Sequence, residues 1–227
     1  MNKCYDTSLV LKGYVLVNES GKEFFKKCNE TLKIQAWGKN GLRVCSTLES
    51  SFLDNNWGLT EKVNSKPDTI QINKTDATIT NGKISAKITS NGILSFYKDG
   101  KQIIHEYFRS YDPNATKHSC CTKITAREYK GIIGGDYKLT VRFEPNDEEK
   151  IFGMGQYPTP YLDMKGCSLE LAQRNSQISI PFAVSSLGYG FLWNTPAVGQ
   201  VTFGKNYTEW IAESTKEMDY WMTVADG

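Results

Sequence analysis

An all-β, antiparallel β-sandwich is the fold this sequence predicts, and three observations predict it. Short runs of apolar and polar residues alternate with period two, which turns one face of each run to a core and the other to water. Gly-bearing turns separate these runs at fairly regular intervals. No amphipathic helical pattern longer than two turns interrupts them.

The elements follow in chain order. The first thirty residues give weak signals, with one strand expected through Tyr14–Val17. Leu32, Ile34 and Ala36 then alternate with Lys33, Gln35 and Trp37, and a turn at Lys39-Asn40-Gly41 leads into Leu42–Cys45. Residues 49–68 are polar and irregular and read as a long connection carrying Trp57. The strongest β signal is a meander: Ile84–Ile88, Ile93–Tyr97 and Gln102–Ile104, joined by Asn91-Gly92 and Asp99-Gly100. Asn-Gly and Asp-Gly supply the positive φ angles that tight hairpin turns require. Tyr137–Phe143 alternates without a break and predicts a half-buried strand; Pro145–Lys150 reads as a solvated turn. Past Ile151, a Pro-bearing loop runs from Tyr157 to Lys165. Ile178–Val184 and Tyr189–Trp193 form a hairpin about Ser185–Gly188. Pro181 lacks an N–H and so belongs at an edge or a bulge. Val198–Phe203, Tyr207–Ala212 and Met218–Val224 complete the set.

A chain of 227 residues accommodates one large β domain or two small ones. With 39% hydrophobic residues, 12 Tyr, 10 Phe and 5 Trp, it can build a packed core without disulfide staples. Lys plus Arg (27) nearly balance Asp plus Glu (25), which argues against nucleic acid as a partner. No apolar run approaches a membrane span. The N-terminus lacks the apolar stretch of a secretion signal, and the six cysteines show no CxxC spacing. Reduced thiols and a cytoplasmic address are therefore expected, and the sequons at Asn18, Asn29, Asn73, Asn114 and Asn206 read as chance.

Candidate chemistry is sparse. Gly153-Met154-Gly155-Gln156 lacks the third glycine and the helix of a dinucleotide loop, and no Walker Lys-Ser/Thr follows. No cofactor is expected. The two histidines, His105 and His118, and the adjacent Cys120-Cys121, whose side chains would diverge on a strand, do not suggest a metal centre. Asp163, Glu170, Glu213, Glu217 and Asp219 lie in the later half, but a glycosidase pair is defined by carboxyl separation, which sequence does not set. They read as solvated groups. Late aromatic residues, among them Tyr157, Phe191, Trp193, Trp210 and Trp221, suit either a carbohydrate site or a core. Phe191 and Trp193, on a hairpin, are assigned to the core.

From Lys150 onward the succession EKIFGMGQ, YLDMKG, LELAQRN, IPFAVSSLGYGFLWN, VTFG and EMDYWMTVADG resembles the N-terminal domain of family 31 glycoside hydrolases, the α-glucosidase and α-xylosidase group. Leu32–Val44 with Trp37-Gly38, and DNNWGL from Asp54, fit the same family; residues 60–150 match only in strand character. The resemblance implies a mutarotase-like supersandwich spanning residues 1–227. It implies further that both catalytic aspartates sit on a (β/α)8 barrel that this chain does not contain. The chain alone is then expected not to hydrolyse glycosides, and its partners are its own barrel and, through the assembled enzyme, an α-linked glycoside. The resemblance carries substrate contact to Arg174 and Asn175, within a Gln173-Arg174-Asn175 triplet where the family often has Asn-Arg-Asp. It carries the same role to Gln156, where many members have Glu, and to Tyr157 at the start of the adjoining loop. Neutral Asn175 in place of Asp points away from the maltose-type enzymes and toward an α-xylosidase. A free-standing carbohydrate-binding module is the alternative.

Overall fold

The computed structural model describes residues 8–12, 29–53, 55–59, 66–73, 75–110 and 120–225. These residues form seventeen strands and no helix. They are β1 (Ser8–Lys12), β2 (Thr31–Ala36), β3 (Gly41–Thr47), β4 (Thr69–Ile72), β5 (Asp76–Asn81), β6 (Ile84–Thr89), β7 (Leu94–Lys98), β8 (Lys101–His105) and β9 (Arg127–Gly131). There follow β10 (Tyr137–Phe143), β11 (Ile151–Gln156), β12 (Ser168–Leu171), β13 (Ile178–Ser185), β14 (Tyr189–Trp193), β15 (Gly199–Phe203), β16 (Thr208–Thr215) and β17 (Glu217–Val224). The expected strand at Tyr14–Val17 lies outside the described residues.

Every pairing is antiparallel, in three sheets. One has seven strands in the order β1-β2-β3-β17-β14-β13-β11; the others have five each, β12-β15-β16-β10-β9 and β4-β5-β6-β7-β8. The two smaller sheets cover the inner face of the large one. β5 and β6 pack on β2 and β3, while aromatic side chains of β10 and β16 reach across to β14 and β17. The smaller sheets are laced together where the Tyr107 N–H donates to the Arg142 carbonyl (2.9 Å) and the Glu144 N–H to the His105 carbonyl (2.7 Å). This is a β-sandwich, as the alternation predicts.

The period-two signal translates directly into burial. On β10 the side chains of Leu139, Val141 and Phe143 are sealed from solvent, as are Ile84, Ala86 and Ile88 on β6. Asp99 and Gly100 both take positive φ (48° and 80°), the geometry of a two-residue hairpin whose twist matches the strands it joins. Phe191 occupies the middle of the core. Its ring stacks on Tyr220 from its own sheet (4.9 Å between centroids) and on Trp210 from the facing sheet (5.0 Å). Trp193 stacks on Trp210 in turn (5.7 Å), and Phe143 meets Phe191 edge-on (5.6 Å). Phe191 and Trp193 are core residues, as expected from their position on a hairpin.

A polar knot sits where the three sheets meet. Arg127, at the start of β9, donates through Nε to Glu30 (2.7 Å), through Nη1 to Glu106 and through Nη2 to the Gly92 carbonyl (2.8 Å). The Glu106 side chain is fully buried and its second anchor is the Leu94 N–H (2.9 Å). Burial pushes the Glu106 carboxyl above its ordinary range, and Arg127 pulls it back down. The guanidinium thus bridges two carboxyl groups and a backbone carbonyl drawn from separate segments of the chain.

Candidate functional site

The four residues singled out from the sequence, Gln156, Tyr157, Arg174 and Asn175, come together around the start of β13. β11 reaches that point through an irregularity. Gly153, Met154 and Gly155 take φ of 92°, 70° and 92°, and the β11–β13 register shifts between Gly153 and Gly155. Glycine is required here for space as well as for φ. A Cβ on Gly155 would lie 2.2 Å from the Ile178 carbonyl oxygen, and one on Gly153 would lie 2.5 Å from that of Phe182. Pro181 falls opposite this bulge, where its missing N–H breaks no ladder bond. Gln156 then pairs with Ile178 in register and shows its side chain to solvent.

Three hydrogen-bonding side chains tie this strand end to its neighbours. The Tyr157 hydroxyl lies 2.8 Å from both the Glu170 carbonyl and Ser179 Oγ. Partial burial raises its pKa, so it is a neutral phenol at physiological pH. Gln173 imitates a strand, its amide NH2 donating to the Ser179 carbonyl (2.8 Å) and its carbonyl oxygen accepting from the Ser179 N–H (3.1 Å). Gln177 donates to the Ala172 carbonyl (3.0 Å). The turn between Arg174 and Gln177 is therefore held from both sides, and Ser176 takes φ 71° within it.

Arg174 and Asn175 project from this turn, both exposed. Arg174 makes a two-pronged ion pair with Glu170, Nε to Oε2 at 3.0 Å and Nη2 to Oε1 at 2.5 Å. The pair lowers the Glu170 carboxyl pKa and raises that of the guanidinium, which fixes both charges and aims the Arg174 head. Asn175 makes no side-chain hydrogen bond among the described residues. It offers a donor and an acceptor outward. The sequence reading missed Glu170 as the orienter of Arg174 and Tyr157 as a clamp, because both contacts link a strand to a neighbouring turn and obey no spacing rule.

Beside this rim lies a cleft of about 370 Å³, walled by Ala172, Gln173, Ser179 and Pro181 on one side and by the Thr195–Val198 turn on the other. Beyond it, the outward face of β13 carries an apolar strip. Ile178 and Ile180 are 53% and 52% exposed, and Val184 is 42% exposed. Phe182, on the same face, lies over Gly190 and stacks on Trp221 (6.5 Å). A polar rim with convergent hydrogen-bonding groups, set against uncovered apolar surface, is an arrangement for contact with another body.

No protein-family model matches the chain. Comparison with individual proteins does find relatives. A family 31 glucosidase of uncharacterised activity from Pseudescherichia vulneris is 43% identical over 206 residues, which cover 87% of this chain and 39% of that protein. Alpha-xylosidase A of Aspergillus niger is 28% identical over 225 residues, covering 86% of this chain and 28% of its own. Among solved structures, an α-xylosidase of family 31 from a soil metagenome, determined with xylose bound, superposes on the whole of this chain. Its TM-score is 0.84 at 38% identity, over 32% of its own length. The chain thus spans well under half of each of these relatives. Its sequence relatives and structural neighbours are thus family 31 glycoside hydrolases, and the β-sandwich is consistent with an N-terminal domain of such an enzyme.

Proposed function

We propose that this β-sandwich is the accessory domain of a retaining α-glycosidase, with α-xylosidase activity favoured over α-glucosidase activity. It would pack on a catalytic barrel through the apolar strip of β13 and line one wall of the sugar pocket with Gln156, Tyr157, Arg174 and Asn175. The observation that carries this reading is the convergence of those four residues, drawn from two separate segments, on one braced and exposed rim beside uncovered apolar surface. Asn175 would exchange hydrogen bonds with sugar hydroxyls, and Arg174, held by Glu170, would add a fixed donor. The carboxylate pair of a retaining mechanism would come from the barrel.

Hydrolysis of p-nitrophenyl α-xyloside and α-glucoside tests the proposal. The chain alone should release no nitrophenol from either. The longer enzyme that carries it should turn over the xyloside faster than the glucoside. Turnover by the chain alone would overturn the accessory role, and a strong preference for the glucoside would overturn the substrate assignment.

A further inference from the structure

A second cleft, of about 280 Å³, opens on the other side of the Thr195–Ala197 turn from the rim. It has a different chemistry. Trp57 and Leu53 supply an apolar wall, and Asp136, Ser214, Lys216 and Glu217 supply polar groups. Trp57 is 53% exposed, whereas every aromatic ring of the central stack is buried. Leu53 in the same wall is 44% exposed, so two apolar side chains stand uncovered together at the mouth of the cleft.

The surroundings hold Trp57 there. Arg43 grips Asp219 with two hydrogen bonds, Nε to Oδ1 (3.0 Å) and Nη2 to Oδ2 (2.7 Å). The same guanidinium donates to the Asn55 carbonyl (3.0 Å) and to Asn56 Oδ1 (2.6 Å). Asn194 donates to Asp219 (2.6 Å) and accepts from the Gly58 N–H (2.7 Å). Backbone on both sides of Trp57 is thus pinned to a buried ion pair, so little ordering entropy remains to be lost when a ligand meets the ring.

The acceptors of the cleft are half used. Asp136 accepts from Ser214 through Oδ2 (2.7 Å) and Glu217 from the Leu53 N–H through Oε2 (2.9 Å). The other oxygen of each carboxylate accepts no hydrogen bond among the described residues. Two carboxylates repel an anion, and an indole face packs on apolar C–H surface. A ligand with a C–H face and a ring of hydroxyl donors satisfies both.

We propose that this cleft is a binding site for a neutral sugar residue of an oligosaccharide, with Trp57 as its platform and Asp136 and Glu217 as hydroxyl acceptors. The volume falls just below the range of small-molecule sites, which begins at about 300 Å³, and so suits one ring rather than a long chain. The site is independent of the rim at Arg174 and Asn175.

Calorimetric titration of the 227-residue chain with maltotriose, isomaltotriose and a xyloglucan heptasaccharide tests this. At least one should bind saturably with a Kd between about 0.1 and 10 mM. Trp57→Ala should weaken that binding by at least about tenfold, with an unchanged far-UV circular dichroism spectrum because the ring is exposed. Asp136→Asn should weaken it several-fold, while Arg174→Ala should leave it intact. Absence of saturation for all three sugars at about 20 mM would overturn the proposal. So would an unchanged affinity in Trp57→Ala, or loss of binding in Arg174→Ala, which would place the sugar at the rim instead.

Discussion

The aromatic stack around Phe191 and the rim around Asn175 are built from adjacent strands and obey opposite rules. In the stack, Phe191, Trp193, Trp210 and Tyr220 pack on one another and on Phe96, Phe143 and Phe203; all are buried. At the rim, Tyr157, Gln173 and Gln177 spend their hydrogen bonds on backbone, and the groups they brace, Arg174 and Asn175, face outward. The first arrangement stabilises this domain. The second leaves hydrogen-bonding side chains facing outward.

Substitutions can break that contrast. The largest loss should come from Phe191→Ala, which removes a ring stacked on both sides and leaves a cavity between sheets. A destabilisation of about 3–5 kcal/mol is expected, read as a Tm lowered on the order of 10 °C for a chain of this size. Arg127→Met should cost a similar amount near neutral pH, about 3–5 kcal/mol, because Glu30 and Glu106 lose their shared counter-ion. This loss has a pH signature. The Glu106 carboxyl is already raised above its ordinary 4.5 by burial, and losing Arg127 raises it further. A raised carboxyl binds more protons folded than unfolded, so stability falls as pH climbs from the unfolded value through the folded one. The deficit of Arg127→Met should therefore be greatest at pH 7 and shrink as pH is lowered toward 4.5, which chemical denaturation at a series of pH values will show.

Gly155→Ala should be intermediate. The new Cβ meets the Ile178 carbonyl at 2.2 Å, and φ is 92°. A cost of order 1–3 kcal/mol is expected, accompanied by faster amide exchange at β11 than at β17, since the clash lies on the edge strand. The smallest effect should be that of Tyr220→Phe. The Tyr220 hydroxyl is buried without a hydrogen-bond partner among the described residues. Removing it relieves an unsatisfied group and should change stability by less than about 1 kcal/mol, in the favourable direction.

Much of the stack was legible in the sequence and little of the rim was. Strands such as β6 and β10 alternate apolar and polar residues strictly, and the Asn-Gly and Asp-Gly turns join β6 to β7 and β7 to β8. β4 and β5 escaped the reading because β4 buries none of its four residues and the inward face of the short β5 carries Ala77, Ile79 and a polar Asn81. β9 escaped because its inward positions are held by Arg127 and Tyr129 rather than by aliphatic residues, so its alternation carries no hydrophobic signal. At the rim, the resemblance alone pointed to Arg174 and Asn175. The Glu170 clamp spans only four residues, from β12 to the turn that follows it, whereas the Tyr157 bridge arises from segments brought side by side by the fold. The bulge is a middle case: its two glycines were visible, but the close approach that demands them was not.

The contrast is tested most directly by Asn175→Ala in the proposed full-length glycosidase, with Tm and kcat/KM on its best α-glycoside measured together. Asn175 is exposed and makes no side-chain hydrogen bond among the described residues, so Tm should move by no more than about 1–2 °C, while kcat/KM should fall by about tenfold or more as a sugar hydroxyl loses its partner. An unchanged kcat/KM would show that the rim does not reach the substrate and would contradict the account at its centre.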